Sequence, residues 1–114
     1  MAKVKYILLI PMKYNDGSKV PTSVLAEIED DLYALAGGYF SAEKGKGAYR
    51  MRSGKKQVDK CAQYWVVIDK KDEPALKKMV AGFAVLLDQE SIYLERVNSD
   101  IEFIEPLEPD EEEE

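Results

Sequence analysis

The residues of this sequence best suited to chemistry form a cationic segment, residues 44–60, which also contains a tyrosine. Seven basic residues in this segment face a single acidic one, Asp59, so the segment carries a net charge of +6. Cations spaced along a chain neutralise phosphates, and an aromatic ring between them can stack on a base. The candidate anion- or nucleic-acid-binding residues are Lys44, Lys46, Tyr49, Arg50, Arg52, Lys55 and Lys56. A solvated hairpin whose cations balance nearby acidic groups explains the pattern equally well, and both interpretations stay open.

Acidic residues, by contrast, are concentrated near the C-terminus. Eight of the 22 acidic residues lie between positions 102 and 114, where no basic residue occurs. The remainder of the chain holds 16 basic and 14 acidic residues, a net charge of +2, although the whole chain carries −6. Such a run is typical of a disordered, solubilising end, predicted here for residues 107–114. A sharper hypothesis is that this acidic run pairs with the cationic segment and competes with anionic ligands.

Several kinds of catalytic and metal site are excluded by the residue types. The chain has no histidine and one cysteine, Cys61. Serine–histidine and cysteine–histidine nucleophile pairs, an internal disulfide and a thiolate zinc site within one chain are therefore impossible. No glycine-rich nucleotide-binding motif occurs. We accordingly predict no metal and no cofactor, and no catalytic residue is assigned.

The spacing of apolar residues predicts a single α+β domain over residues 1–106. Alternation of apolar and polar residues indicates strands, and a three-to-four-residue period indicates helices. The predicted strands cover residues 3–14, 38–51, 58–69, 91–97 and 101–104, and the predicted helices cover residues 21–36 and 72–87. This order predicts a ferredoxin-like βαββαβ fold, an antiparallel sheet with two helices on one face and the first and third strands at its centre. The last two strands would form a C-terminal β-hairpin extension.

The two central strands are apolar on both faces, which an antiparallel sheet with one solvated face does not require. Exposure of the second face would leave large side chains in water at about 1.5–3 kcal/mol each. We expect a second copy of the chain to cover this face, so that the protein is a homodimer. The C-terminal hairpin or an apolar ligand are alternative covers. The candidate dimer-face residues are Ile7, Leu9, Trp65 and Val67.

Three stretches of the chain resemble small bacterial proteins of unassigned function. They are Leu-Tyr-Ala-Leu-Ala-Gly-Gly-Tyr at 32–39, Gly-Ala-Tyr-Arg at 47–50 and Leu-Asp-Gln-Glu-Ser-Ile-Tyr-Leu-Glu at 87–95. The resemblance covers most of residues 3–106 and implies the same ferredoxin-like pattern without any defined chemistry. Glu90, in the Gln-Glu-Ser step, is either a carboxylate that faces a ligand or a loop residue, and we favour the loop.

Two classes of function follow from these patterns. The preferred one is a non-enzymatic, dimeric binding or regulatory module, whose cationic hairpin meets an acidic protein, a nucleic acid or another anion. The alternative is a dimeric α+β barrel enzyme, of the monooxygenase or isomerase kind, that acts on a small apolar ligand. No apolar run approaches the roughly 20 residues needed to span a membrane, and neither a signal peptide nor a membrane partner is expected. We therefore expect a cytoplasmic location.

Overall fold

The computed structural model of the chain describes residues 2–107, with the backbone alone for residues 43–49 and 57–59. Its elements follow the predicted order. They are the strands β1 (Lys3–Pro11), β2 (Phe40–Arg50), β3 (Lys56–Asp69) and β4 (Tyr93–Val97), with helix α1 (Thr22–Ala36) after β1 and helix α2 (Glu73–Leu86) after β3. A short 3-10 turn, Lys70–Asp72, precedes α2. The predicted disordered end at 107–114 lies almost wholly outside the described residues.

The four strands form one antiparallel sheet in the spatial order β2-β3-β1-β4. The two central strands are thus β1 and β3, as predicted. Ile7 of β1 lies opposite Trp65 on one side and Glu95 on the other, which fixes the register of the three strands. This arrangement confirms the α+β, ferredoxin-like architecture.

The helices cover one face of the sheet, and the hydrophobic core lies between the two layers. Alternate residues of the central strands point into it, because successive side chains of a strand lie on opposite faces. Helix α1 contributes Ile28 and Leu32, and α2 contributes a stripe at helical spacing. The buried residues include Val4, Tyr6, Leu8 and Ile10 of β1, Tyr64, Val66 and Ile68 of β3, and Leu76, Val80 and Phe83 of α2. This one-sided core is filled by large side chains that are at most 6 % exposed.

The backbone conformations of Pro21 and Gly37, rather than side-chain caps, set the two ends of helix α1. Pro21 occupies its N-cap position in an extended conformation and forms no side-chain capping hydrogen bond, so neither Thr22 nor Ser23 caps the helix. Both of those residues are already helical, which places their hydroxyls one step too late to cap the helix. At the other end, Gly37 has φ +77° and its N–H donates to the carbonyl of Tyr33 at 2.8 Å. Gly37 therefore ends the helix in the left-handed conformation that glycine adopts without strain.

The C-terminal hairpin extension is the element that the structure does not form. Strand β4 is present, but residues 101–107 adopt no regular structure and residues 102–107 are exposed. The described backbone hydrogen bonds include none that would close a turn at residues 98–100. Only five residues lie between residues 98–100 and Pro106. A fifth strand of that length would form few backbone hydrogen bonds, too few to offset the conformational entropy lost when the strand becomes ordered. The second face of the sheet is consequently not covered by the described part of the C-terminal segment.

No helix among residues 2–107 combines the length and the apolar character that a membrane span requires.

A polar network ties the start of α2 to the sheet. The phenol of Tyr6 donates a short hydrogen bond to the Glu73 carboxylate, and Arg96 donates to the same group through Nε at 3.0 Å and Nη2 at 3.4 Å. The register places Tyr6 and Arg96 side by side on neighbouring strands. Hydrogen bonds from Arg96 and then from Tyr6 hold the pKa of Glu73 below its usual 4.5. Glu73 therefore stabilises the fold as a carboxylate.

This network predicts a pH-dependent part of the stability. Because the pKa of Glu73 is lowered in the folded chain, its contribution is complete above pH 4.5 and is lost as the pH falls through the lowered value. We expect Glu73→Gln to lower the free energy of unfolding at pH 7 and to cost much less at pH 3, by urea denaturation. Glu27→Gln, an exposed position of α1, is the matched control. An equal cost of Glu73→Gln at both pH values would contradict the assignment.

Candidate functional site

The cationic segment forms a long hairpin made of β2 and β3. The two strands pair from Phe40 and Trp65 to Arg50 and Lys56, with a register shift between Ala42 and Gly45. The turn closes through hydrogen bonds from the Met51 N–H to the Lys55 carbonyl and from the Gly54 N–H to the Met51 carbonyl, both 2.8 Å. Gly54 has φ +87°, a conformation that favours glycine. A tight turn with basic residues on both sides therefore forms around Gly54.

The register of the hairpin places like charges directly opposite each other. Arg50 of β2 pairs with Lys56 of β3, and Lys46 pairs with Lys60 four residues further along. Directly opposed residues lie close together on one face, and like charges there destabilise a strand pair. The backbone register therefore pairs basic residues with basic residues at two positions of the hairpin.

The described cations of the hairpin are available to solvent. Arg50, Arg52, Lys55, Lys56 and Lys60 are exposed, and none of the five forms an ion pair with another described side chain. The side chains of Lys44, Lys46 and Tyr49 lie outside the described part of the structure, and the site roles predicted for them stay predictions. The structure therefore shows no ion pair between these five cations and a described acidic side chain, and both interpretations of the segment stay open.

Three loops meet at the end of the sheet where the hairpin turn lies. The Arg52 N–H donates to the Glu90 carboxylate at 3.2 Å, which joins the turn to the loop between α2 and β4. Asn15, after β1, donates through Nδ2 to the Asp88 carbonyl at 3.0 Å and accepts from Gln89 Nε2 at 3.3 Å. Glu90 is thus an exposed loop residue, as favoured from the sequence, and it contacts the cationic turn. The part played by Asn15 was not predicted, because its partners lie 73 and 74 positions away along the chain.

Two tyrosines that donate hydrogen bonds to one carboxylate, that of Glu29, are a second feature that the sequence did not reveal. Tyr64 is 2 % exposed and donates to Glu29 Oε2 at 2.7 Å, while Tyr39 donates to the other carboxylate oxygen at 3.3 Å. Burial, followed by the hydrogen bond to Glu29, strongly raises the pKa of Tyr64, so its phenol stays protonated. Since Glu29 belongs to α1 and Tyr64 to β3, the cluster fastens the helix to the sheet.

The second face of the sheet is open in the single chain. Ile7, Leu9, Trp65 and Val67 share this face and are half-buried, so the expectation that both faces are buried is not met within one chain. Phe40 packs against Trp65 with ring centroids 4.8 Å apart, and Lys5 Nζ lies 3.8 Å above the same indole. The partial cover comes from these neighbours on the sheet itself, because the helices lie on the opposite face.

An apolar groove of about 490 Å³ lies beside the sheet, between α2 and the edge strand β4. Its lining includes Val80, Ala84 and Val85 of α2 and Ile92 and Leu94 around β4. The groove is open to solvent. Among residues 2–107, no group of three or more cysteine, aspartate or glutamate side chains is arranged to hold a metal ion.

Comparison with known proteins identifies structural neighbours only. No protein-family model matches the chain, and no curated protein matches it by sequence. A phage SAM lyase solved in complex with S-methyl-5'-thioadenosine is 12% identical, with a TM-score of 0.67 over 83% of this chain and 80% of that one. The divalent cation tolerance protein CutA1 from Thermus thermophilus is 15% identical, with a TM-score of 0.65 over 90% and 88% of the two chains.

A third neighbour, CutA1 from Oryza sativa, is 13% identical, with a TM-score of 0.59 over 89% of this chain and 83% of that one. At these identities a likeness of structure shows the fold and leaves the activity open. The chain has the ferredoxin-like fold of these CutA1 and SAM lyase structures, over most of its length.

Proposed function

We propose that this protein is a small self-associating binding module whose β2–β3 hairpin binds a polyanion. The observation that carries the proposal is the opposition of like charges in the hairpin, Arg50 with Lys56 and Lys46 with Lys60. Such pairs weaken the free hairpin, and an anion bound between them removes the repulsion. The CutA1 neighbours are consistent with a small binding or regulatory module of this fold.

The distribution of the cations favours an extended anion over a single small one. Positions 46 and 50 are four residues apart on a strand, so the two like-charge pairs are separated by about 13 Å. A chain of phosphates can contact both pairs at once with their side chains extended, whereas a single phosphate would require side chains from both pairs to converge on it. Single-stranded nucleic acid is the probe of choice, because its backbone carries regularly spaced charges and leaves the bases free to stack.

Reversing one charge of a pair separates binding from folding. Lys56→Glu places a carboxylate opposite Arg50, so we expect the hairpin to gain about 0.2–1 kcal/mol of stability. The same change should weaken binding of fluorescein-labelled oligothymidine and lower the slope of log K against log salt by about 0.7 for each phosphate that the variant no longer neutralises. Fluorescence anisotropy at several salt concentrations measures both the affinity and this slope.

Lys78→Glu, an exposed position of α2, has the same change in net charge and is the matched control. An equal loss of affinity in the two variants would show that only the net charge matters. Unchanged affinity in Lys56→Glu would refute the hairpin as the binding surface.

Self-association is proposed to occur through the open face of the sheet. Its apolar centre is bordered by one cation and one anion, Lys5 and Glu95, which lie on the same face as Ile7. A two-fold interface brings each patch against its own copy, and a patch with both charges can then pair Lys5 with the partner's carboxylate.

A charge placed in this face should keep the protein monomeric. Ile7→Glu adds a carboxylate beside Glu95 and removes a large apolar side chain from the centre of the proposed interface. We expect its mass by light scattering at tens of micromolar to be that of one chain, with an unchanged far-ultraviolet circular dichroism spectrum. Tyr33→Ser removes an exposed aromatic from α1 and should leave the parent mass unchanged. A monomeric parent protein under the same conditions would contradict the homodimer.

The acidic C-terminal end is proposed to compete with the anionic ligand for the hairpin. Its eight carboxylates follow the last basic residue of the chain, Arg96, and have no compensating charge in their own segment. We expect deletion of residues 105–114 to strengthen binding of labelled oligothymidine several-fold at low salt, with the difference shrinking as salt screens both interactions. No gain in affinity on deletion would refute the competition.

A second candidate function is an enzyme or binding protein for a small adenosine-containing ligand. It rests on the phage SAM lyase, whose structure with S-methyl-5'-thioadenosine superposes on 83% of this chain. Calorimetric titration with S-methyl-5'-thioadenosine, with adenosine as the control, distinguishes the two candidates. Saturable binding at one site per chain would favour the small-ligand function, and its absence together with oligothymidine binding would favour the polyanion function.

A further inference from the structure

The C-terminal segment, residues 101–107, carries apolar side chains that contact little of their own domain. Phe103 is 70% exposed, Ile104 84% and Leu107 61%. Isolated exposed apolar residues are ordinary, but three exposed apolar side chains within five positions are a concentration that favours contact with another surface. This segment is therefore suited to binding another surface.

The groove between α2 and β4 is a matching unpartnered surface. Its α2 side includes Val85, which is 83% exposed, and its floor includes Ile92 and Leu94. Strand β4 is the edge strand of the sheet, so its outer backbone groups are available to pair with a further strand. A strand added there would place alternate side chains in the groove and the others beside the open face.

Length and charge both fit this pairing. Seven extended residues span about 23 Å, which is enough to cover the five residues of β4, about 17 Å long. Lys77 lines the groove near α2 and Glu90 lines it near the loop after α2, so Glu102 or Glu105 of the segment is complementary in charge to the Lys77 end of the groove. Period-two alternation puts Ile101 and Phe103 on one side of the segment and Ile104 on the other, so each sheet face receives an apolar side chain.

The chain's own segment is poorly placed to fill its own groove. Among the described backbone contacts, residues 98–100 form no turn hydrogen bond, and the residues after them run on from β4 without pairing with it. We propose that residues 101–107 of one copy dock along β4 and into the α2–β4 groove of a second copy. The exchange is reciprocal between two copies, which makes it a closed, two-fold arrangement. This exchange does not depend on anion binding by the hairpin. It adds a second contact between copies to the one proposed through the open face of the sheet.

Photocrosslinking tests the docking and the identity of the occupant together. Phe103 is replaced with p-benzoylphenylalanine in the full chain, and protein grown in ¹⁴N and in ¹⁵N is mixed, unfolded and refolded together. After irradiation, we expect crosslinks from position 103 to residues 77–85 or 92–94, with about half of them joining a light and a heavy chain, as random pairing requires. Crosslinks within single-isotope chains only would show that the segment folds onto its own groove, and would overturn the proposal.

Two controls keep the result interpretable. The same photoreactive residue at the position of Tyr33, which is 61% exposed on α1, should give no crosslink to the groove. Ala84→Arg fills the groove from α2 and should abolish the crosslinks from position 103 without a change in the circular dichroism spectrum. Crosslinks from position 103 to the sheet face around Trp65, or none at all while the protein is self-associated, would also overturn the proposal.

Discussion

The constraint on which the rest of the structure depends is that two helices cover only one face of a four-stranded sheet. The covered face holds the core, from Leu8 and Ile10 of β1 to Val80 and Phe83 of α2, and these residues are almost completely buried. The other face carries Ile7, Leu9, Trp65 and Val67 at intermediate exposure. Burial of large apolar side chains is the main favourable term in folding and association, so burial of this second face would drive the proposed self-association.

Hydrogen bonds to two carboxylates attach the helices to the sheet in this layered arrangement. Glu73 joins α2 to β1 and β4, and Glu29 joins α1 to β3, so each helix is fastened by a carboxylate that accepts hydrogen bonds from tyrosine. The hairpin extends beyond the helices, and its described cations remain exposed. The attached helices and the core therefore form a scaffold, and the hairpin is the surface proposed to bind the anion.

The sequence predicted the order of the elements because the core positions repeat at the periods of strands and helices. Val4, Tyr6, Leu8 and Ile10 alternate, and Leu76, Val80 and Phe83 follow helical spacing, so their burial is a local property of the chain. The fifth strand was predicted from three apolar residues within positions 101–104. Such a pattern does not show whether a pairing partner is within reach. The segment has the apolar residues of a strand, but within the described residues the chain forms no turn after β4 that would bring the segment back alongside β4.

The features of the candidate site that escaped prediction all depend on tertiary placement. The cationic composition of residues 44–60 was visible, but the pairing of Arg50 with Lys56 requires the hairpin register, which shifts between Ala42 and Gly45. The contacts of Glu90 with Arg52 and of Glu29 with Tyr64 join residues 38 and 35 positions apart, and no periodicity encodes them. Local propensities do not reveal these contacts, since each is set by how the loops and layers meet.

The most direct measurement of the central claim uses Trp65, the only tryptophan of the chain, which lies on the open face. Acrylamide quenching of its fluorescence is followed over a dilution series while sedimentation gives the mass at each concentration. A second copy on this face predicts that the quenching constant rises over the same concentrations at which the mass falls from two chains to one. A mass of one chain at all concentrations up to tens of micromolar, or dissociation with no change in quenching, would contradict it.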